Sequence, residues 1–259
     1  MDRLTQPSAP AAGGCRGLVR WRPVPEPRQR LFCLPHAGGG AITYRHWAER
    51  LAPDIEVIAI RLPGRESRLG EPPLRAIPDI VAAVVTDAGP WLDRPHAWFG
   101  HSFGALVAFE TCRALRRAGL PGPARLLVSS RRAPHLPSLT QPVHHAPLHE
   151  FIGRLRELNG TPPDILEDQM ALASLLPRLR ADFAAVETYT YQPAPPLDCP
   201  ISVFGGLDDA FITVPGLRAW QEHTSARCCV RVFSGGHFFL HRASEPVLSL
   251  IATELERHS

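Results

Sequence analysis

Short apolar runs alternate along the chain with longer stretches in which apolar residues recur every three or four positions. Six runs read as buried strands: RLFCL (30–34), EVIAI (56–60), HAWFG (96–100), ARLLVSS (124–130), PISVFGG (200–206) and CCVRVF (228–233). Between them, Tyr44, Trp47 and Leu51 fall at helical spacing, and Ile77–Leu92 reads as a helix with Pro78 in its first turn. Ala105–Gly119 reads as another helix, closed by Gly119, and a last one over Glu245–Glu256 puts Val247, Leu250, Ile251 and Leu255 on one face. Nearly continuous apolar strands alternating with amphipathic helices predict an α/β fold, with a mostly parallel central sheet covered on both faces.

One segment breaks the rhythm. From about Pro134 to Pro196 there is no convincing strand. Leu148, Phe151, Ile152, Leu155 and Leu158 make a helical stripe instead, DILEDQMALASLL and PRLRADFAAVETY follow, and Pro177 is expected to open a new helix. The segment is predicted to be a helical insertion that lies as a lid over the C-terminal edge of the sheet, where open α/β sheets bind ligands.

The third strand runs into WFGHSFGALVAFE, which places Ser102 between Gly100 and Gly104, at the turn from strand to helix. A turn this sharp forces unusual backbone angles on its central residue and excludes bulk from the flanking positions. It holds the hydroxyl up at the rim of the sheet, beside a helix N-terminus that favours developing negative charge. A serine hydroxyl becomes a nucleophile when a base takes its proton. His237, just after a Gly-Gly turn in FSGGHFFLH, is the expected base, with His241 as the competitor. GGLDDAF ends a strand and offers Asp208 and Asp209 in a loop; Asp208, nearer the strand end, is the expected orienting acid, with Asp209 as the alternative. The chain order Ser, Asp, His is that of the α/β-hydrolases. Backbone N–H donors for a tetrahedral oxyanion are expected from Phe103, after the nucleophile, and from Ala37 in LPHAGGG, with Gly38 behind it. That glycine loop lacks the lysine and the spacing of a phosphate-binding P-loop.

Composition narrows the alternatives. A chain of 259 residues, 44% hydrophobic and 20% charged, suffices for one α/β domain, and a net charge of +3 argues against a nucleic-acid partner. All 28 basic side chains are arginine. The six cysteines form no C-x-x-C pair and lie mostly in apolar surroundings, so reduced, buried thiols are expected. The sequence shows no export pattern and no apolar run long enough to span a membrane, so the expected setting is cytoplasmic. Residues 1–20 read as a loose Pro/Ala/Gly-rich tail before a domain over 21–259. His36 and His101 flank the serine as structural or pocket-lining residues. His135, His144, His145 and His149 lack metal-ligand spacing and are expected at the surface or at helix caps. Neither metal nor cofactor is expected.

Seven stretches, in order along Leu31 to His241, jointly resemble the type II thioesterases: LPHAGGG, RLPGRESR, FGHSFGA, LNGTPPDIL, LRADFAAVETYTY, FGGLDD and GGHFFLH. These are stand-alone α/β-hydrolases that accompany modular polyketide and non-ribosomal peptide synthases. The resemblance implies a Ser102–Asp208–His237 triad, with Ala37 and Phe103 as oxyanion donors. It implies a substrate carried as a thioester on the phosphopantetheine arm of an acyl or peptidyl carrier protein, and an editing role in which aberrant chains are hydrolysed. It also implies a lid that supplies the acyl pocket. Two other readings stand beside it: another serine hydrolase on this fold, such as a small-ester esterase or a chain-releasing cyclase, and a catalytically inert binding partner.

Overall fold

A computed structural model describes residues 16–241 and 243–256. Its elements are β1 Leu18–Val19, β2 Gln29–Leu34, α1 Arg45–Leu51, β3 Ile55–Ile60, α2 Ile77–Ala88, β4 His96–His101, α3 Phe103–Arg117, β5 Arg125–Ser129, α4 Leu148–Leu158, α5 Pro163–Glu167, α6 Gln169–Glu187, β6 Ile201–Gly206, α7 Val214–Arg218, β7 Cys228–Phe233 and α8 Ser244–Glu256. The strands form one seven-stranded sheet in the order β1-β3-β2-β4-β5-β6-β7. Every neighbouring pair is parallel except β1 with β3, where Leu18 faces Ile60.

The period of two along each strand divides the core between the two faces. Phe32 and Leu34 of β2 and Trp98 of β4 pack with Ile80 of α2, Leu106 of α3 and Leu217 of α7. Leu31, Cys33, Ala97 and Phe99 of the same strands pack on the other face with Trp47 of α1 and with Val247 and Ile251 of α8. Both faces are thus covered, as the unbroken apolar strands require. Strand order reverses between β2 and β4, because β3 lies to one side of β2 and β4 to the other. The loops leaving β2 and β4 therefore part around a crevice at the C-terminal rim, the ligand position of open α/β sheets.

The predicted insertion is present as α4, α5 and α6 between β5 and β6. It has its own small core, in which Phe151 and Leu155 meet Leu166, Leu172, Leu175 and Leu179. Two expectations are corrected. Pro177 does not open a helix but lies inside α6, whose start is set by Asp168, with its carboxylate accepting the Met170 and Ala171 amides at 2.8 and 3.1 Å. The proline removes one backbone donor, and the buried stripe of Leu172, Leu175 and Leu179 holds the two halves of the helix together. The expected tail of residues 1–20 is also too long. Residues 1–15 lie outside the described part, but Leu18–Val19 form β1 against β3, a strand too short to leave a periodic signature. Cys33, Cys112 and Cys199 are buried free thiols, and Cys228 and Cys229 are half-buried and also unpaired.

Candidate active site

The strand-to-helix turn holds Ser102 at φ 55°, ψ −112°, a conformation in the left-handed half of backbone space that L-residues rarely adopt. The flanking glycines are sterically required. A Cβ on Gly100 would stand 2.1 Å from the Gly104 carbonyl oxygen, and one on Gly104 would stand 2.3 Å from that of Leu34. The Ser102 amide donates to Ser129 O at the end of β5, 2.8 Å away, which ties the turn to the neighbouring strand.

The imidazole arrives from the loop after β7. His237 Nε2 lies 2.9 Å from Ser102 Oγ, and its Nδ1 lies 2.8 Å from Asp209 Oδ2. His237 is 8% exposed and the Asp209 side chain is fully buried. Ser130, at φ 46°, donates its hydroxyl to His237 O at 2.8 Å and anchors the histidine loop to the end of β5.

Asp208 is not the carboxylate that meets His237, which corrects the expectation from strand position. The Asp208 amide donates to Gly235 O, and its exposed carboxylate accepts the Gly235 amide at 3.3 Å, on the outer side of the loop. The chain turns at Leu207–Asp208, and Asp209, after the turn, is buried. There its Oδ1 accepts the Phe211 and Ile212 amides at 2.9 and 3.2 Å, leaving Oδ2 for the imidazole. The local sequence pattern does not separate the two aspartates, since Ala210 is exposed and Phe211 only half-buried.

His241 is not placed to serve Ser102. It lies beyond Phe238, in a second cavity with His36 and His101. Both of those imidazoles are held in the neutral form by burial first and by neighbouring imidazoles second, His36 at about 3 against its ordinary 6.5. Nδ1 of His101 meets Ser129 Oγ at 3.0 Å. His144, expected near the surface, is buried, with Nδ1 2.6 Å from Glu187. Among the described residues no group of three or more His, Cys, Asp or Glu could hold a metal ion, and no helix is long and apolar enough to cross a membrane.

The loop after β2 presents its amides selectively. Gly38 N donates to Asp182 Oδ2 at 2.7 Å, and Gly39 N donates to His36 O at 2.9 Å. Among the described residues the Ala37 amide has no acceptor. Phe103 is the first residue of α3, so its amide belongs to the unpartnered first turn. Ala37, Phe103, Ser102 and His237 line one cavity of about 210 Å³. Its outer wall comes from the insertion, through Leu158 of α4 and Phe183 and Val186 of α6, with Phe211 and Ile212 opposite.

The conformation of the glycine loop is fixed by a buried pair that sequence reasoning did not single out. Arg65 and Asp182 are 2% and 1% exposed and meet at 2.8 Å. The Arg65 guanidinium also donates to Gly39 O at 2.8 Å. Burial pushes the Asp182 carboxyl above its ordinary range, against the opposing pull of Arg65 and the Gly38 amide. The available signal was Asp182 standing on the stripe of Leu172, Leu175 and Leu179, a charge at a core position.

A serine at a strained turn, an imidazole, an inward carboxylate and two free amides around a walled cavity are the parts of an acyl-transfer site. Residues 29–255 match the family model of the thioesterase domain. The chain belongs to the thioesterase family. It is 42% identical over 226 residues to the gramicidin S biosynthesis protein GrsT of Aneurinibacillus migulanus, covering 87% of this chain and 88% of that one. It is 40% identical over 225 residues to the thioesterase PikA5 of Streptomyces venezuelae, covering 86% and 80%. The type II thioesterase BorB from the borrelidin biosynthetic cluster superposes with a TM-score of 0.85 at 38% identity, covering 92% of this chain and 97% of that one. The resemblance to type II thioesterases and the α/β-hydrolase fold are both borne out, and this thioesterase is a hydrolase of thioesters.

Proposed function

We propose that this thioesterase releases acyl groups from the phosphopantetheine arm of acyl or peptidyl carrier proteins in polyketide or non-ribosomal peptide assembly, clearing aberrant chains, with Ser102, His237 and Asp209 as its catalytic residues. The observation that carries the reading is the unbroken line Ser102 Oγ, His237 Nε2, His237 Nδ1, Asp209 Oδ2, with contacts of 2.9 and 2.8 Å. The relatives' association with such assembly systems supports the carrier-borne substrate.

In this mechanism His237 Nε2 takes the Ser102 proton as Oγ attacks the thioester carbonyl. The oxyanion is met by the Ala37 and Phe103 amides. Asp209 fixes the tautomer of His237 and stabilises the imidazolium. Collapse breaks the C–S bond. A thiol with pKa near 8.5 leaves with little acid assistance, and the His237 proton accompanies it. Water, deprotonated by the same imidazole, then attacks the acyl-serine; the free acid departs and the proton returns to Ser102 Oγ.

The test is steady-state hydrolysis of acyl-carrier thioesters and of the matching oxyesters, with Ser102→Ala as control. Faster cleavage of the thioesters, abolished in the variant, supports the reading. Retained turnover by Ser102→Ala removes the nucleophile, and a wide preference for oxyesters makes the protein an esterase.

A further inference from the structure

The stretches LNGTPPDIL and GGHFFLH, far apart in the sequence, meet in the fold at Phe238, a residue the hydrolysis mechanism leaves unused. Asn159, at φ 55°, ends α4, and the chain after it brings Gly160 down on the Phe238 ring. A Cβ on Gly160 would stand 2.0 Å from Phe238 Cε2 and 2.1 Å from its Cζ. The φ of Gly160 lies outside the left-handed region, so closeness to the ring is what excludes a side chain there. The turn between α4 and α5 of the lid therefore rests directly on the residue that follows His237.

The Phe238 ring touches the neighbours of the oxyanion donor, the nucleophile and the base. It stands perpendicular to His36, next to Ala37, with centroids 4.9 Å apart, and it packs against His101, next to Ser102, at 5.2 Å. It lies 5.2 Å from the His237 ring, at an angle of 72°. The inner side of the histidine loop is held independently. Phe239, buried in the core, stacks on Phe233 at 5.3 Å, and Ser130 donates to the His237 carbonyl at 2.8 Å. Phe238 is the outer anchor, half-buried, with Gly160 over it. It lines the second cavity and not the one that holds Ser102, so it is no wall of the acyl site. A base carried on a loop keeps its line to the nucleophile only while its supports hold it, and a misplacement of about 1 Å can cost on the order of a hundredfold in rate.

We propose that Phe238 is a positioning residue for His237 and that the lid sets it. With the α4–α5 turn seated on the ring through Gly160, the imidazole is held in line between Ser102 Oγ and Asp209. With the turn lifted, the ring loses its outer support and the line slackens. Lid seating thus governs the chemical step as well as access to the cavity. This goes beyond the thioesterase reading and rests on it, because it needs His237 as the base.

The test uses the full-length protein with Phe238→Ala, Gly160→Ala and the two together. One readout is steady-state hydrolysis of one acyl thioester. The other is the rate and end point of phosphonylation of Ser102 by a small alkyl fluorophosphonate, which needs Ser102 and His237 aligned but little of the acyl cavity. The end point counts folded sites, and all rates are taken per site. Each single variant is expected to slow the probe reaction and kcat about tenfold or more, with KM changed by less than about twofold. In the Phe238→Ala background the carbon added by Gly160→Ala meets no ring, and it is expected to cost nothing further. A native probe rate in either single variant overturns the proposal. So does a rise in KM alone, which makes Phe238 a substrate contact, and so does a Gly160→Ala cost that is equal in both backgrounds. If Phe238→Ala leaves no titratable serine, Gly160→Ala decides alone: a slowed probe rate per site supports the proposal and a native one overturns it. An unsubstituted protein that neither reacts with the probe nor turns over the thioester would instead overturn the catalytic reading, and the positioning role with it.

Discussion

Asp182, on the second long helix of the lid, accepts the amide of Gly38, in the loop after β2, at 2.7 Å. The contact has two consequences. It occupies the Gly38 N–H, while the neighbouring Ala37, whose amide has no acceptor among the described residues, lines the cavity. It also joins the loop to the lid, because Asp182 is held by Arg65, and Arg65 holds Gly39 O. A Cβ on Gly38 would stand 2.5 Å from Leu179 of the same helix, so loop and lid are in direct contact.

Asp182→Asn tests that joint. The amide side chain can still accept from Gly38, but it leaves the Arg65 charge buried and uncompensated. Removing one partner of a buried pair costs about 3–5 kcal/mol, which urea unfolding would read. The activity change is expected in kcat rather than KM, because displaced oxyanion donors weaken the transition state and not ground-state binding. A KM effect alone would reduce Asp182 to a wall of the cavity.

The two aspartates of GLDDAF should behave as opposites. Asp209→Asn is expected to lower kcat on the order of 10⁴-fold by releasing the imidazole into the wrong tautomer. Asp208→Asn removes an exposed carboxylate with a long contact to Gly235 and should leave thioester hydrolysis nearly unchanged. The reverse pattern, from kinetics on one acyl thioester, would restore Asp208.

What could be read from the sequence follows from the range of the forces involved. The strands of the central parallel sheet, the helices on its faces and the Ser102 turn are local patterns of period and bulk, so they were legible. Order along the chain was enough to pick His237 over His241, because a Gly-Gly turn marks the loop that reaches the rim. Choosing between Asp208 and Asp209 needed the direction of a side chain, which depends on how the loop leaves β6. The Arg65–Asp182 pair, 117 positions apart, was out of reach because the charge on the helical stripe marks Asp182 alone and no pattern points from it to Arg65. Pro177 misled because a helix already capped by Asp168 could absorb it.

The nucleophile turn should tolerate no added carbon. In Gly104→Ala the new Cβ would meet the Leu34 and Pro35 carbonyl oxygens at 2.3 and 2.5 Å. Both are backbone atoms of β2 and its exit, and cannot rotate away. A destabilisation of about 3 kcal/mol or more is expected, seen as a lowered thermal midpoint and loss of activity. Gly122→Ala, where nothing stands within 4 Å of the new carbon, is the control and should melt with the unsubstituted protein.

Acid should weaken the fold through neutral imidazoles as well as carboxylates. His223, 4% exposed, is held at about 4 against its ordinary 6.5, by burial first and then by His135 and Arg113. Unfolding returns it to its ordinary value. Between about pH 6.5 and pH 4 the unfolded chain therefore binds a proton that the native chain does not, and stability falls as pH is lowered through that window. At pH 5 this one group accounts for about 2 kcal/mol relative to neutral pH. His36, held at about 3, acts in the same direction and extends the window lower. Urea unfolding at pH 7.5 and pH 5 should show the loss, and His223→Gln should narrow the difference by its share. If the variant keeps the full pH difference, His223 titrates normally in the native state, and its packing against Phe109 and Trp220 does not exclude the charged form.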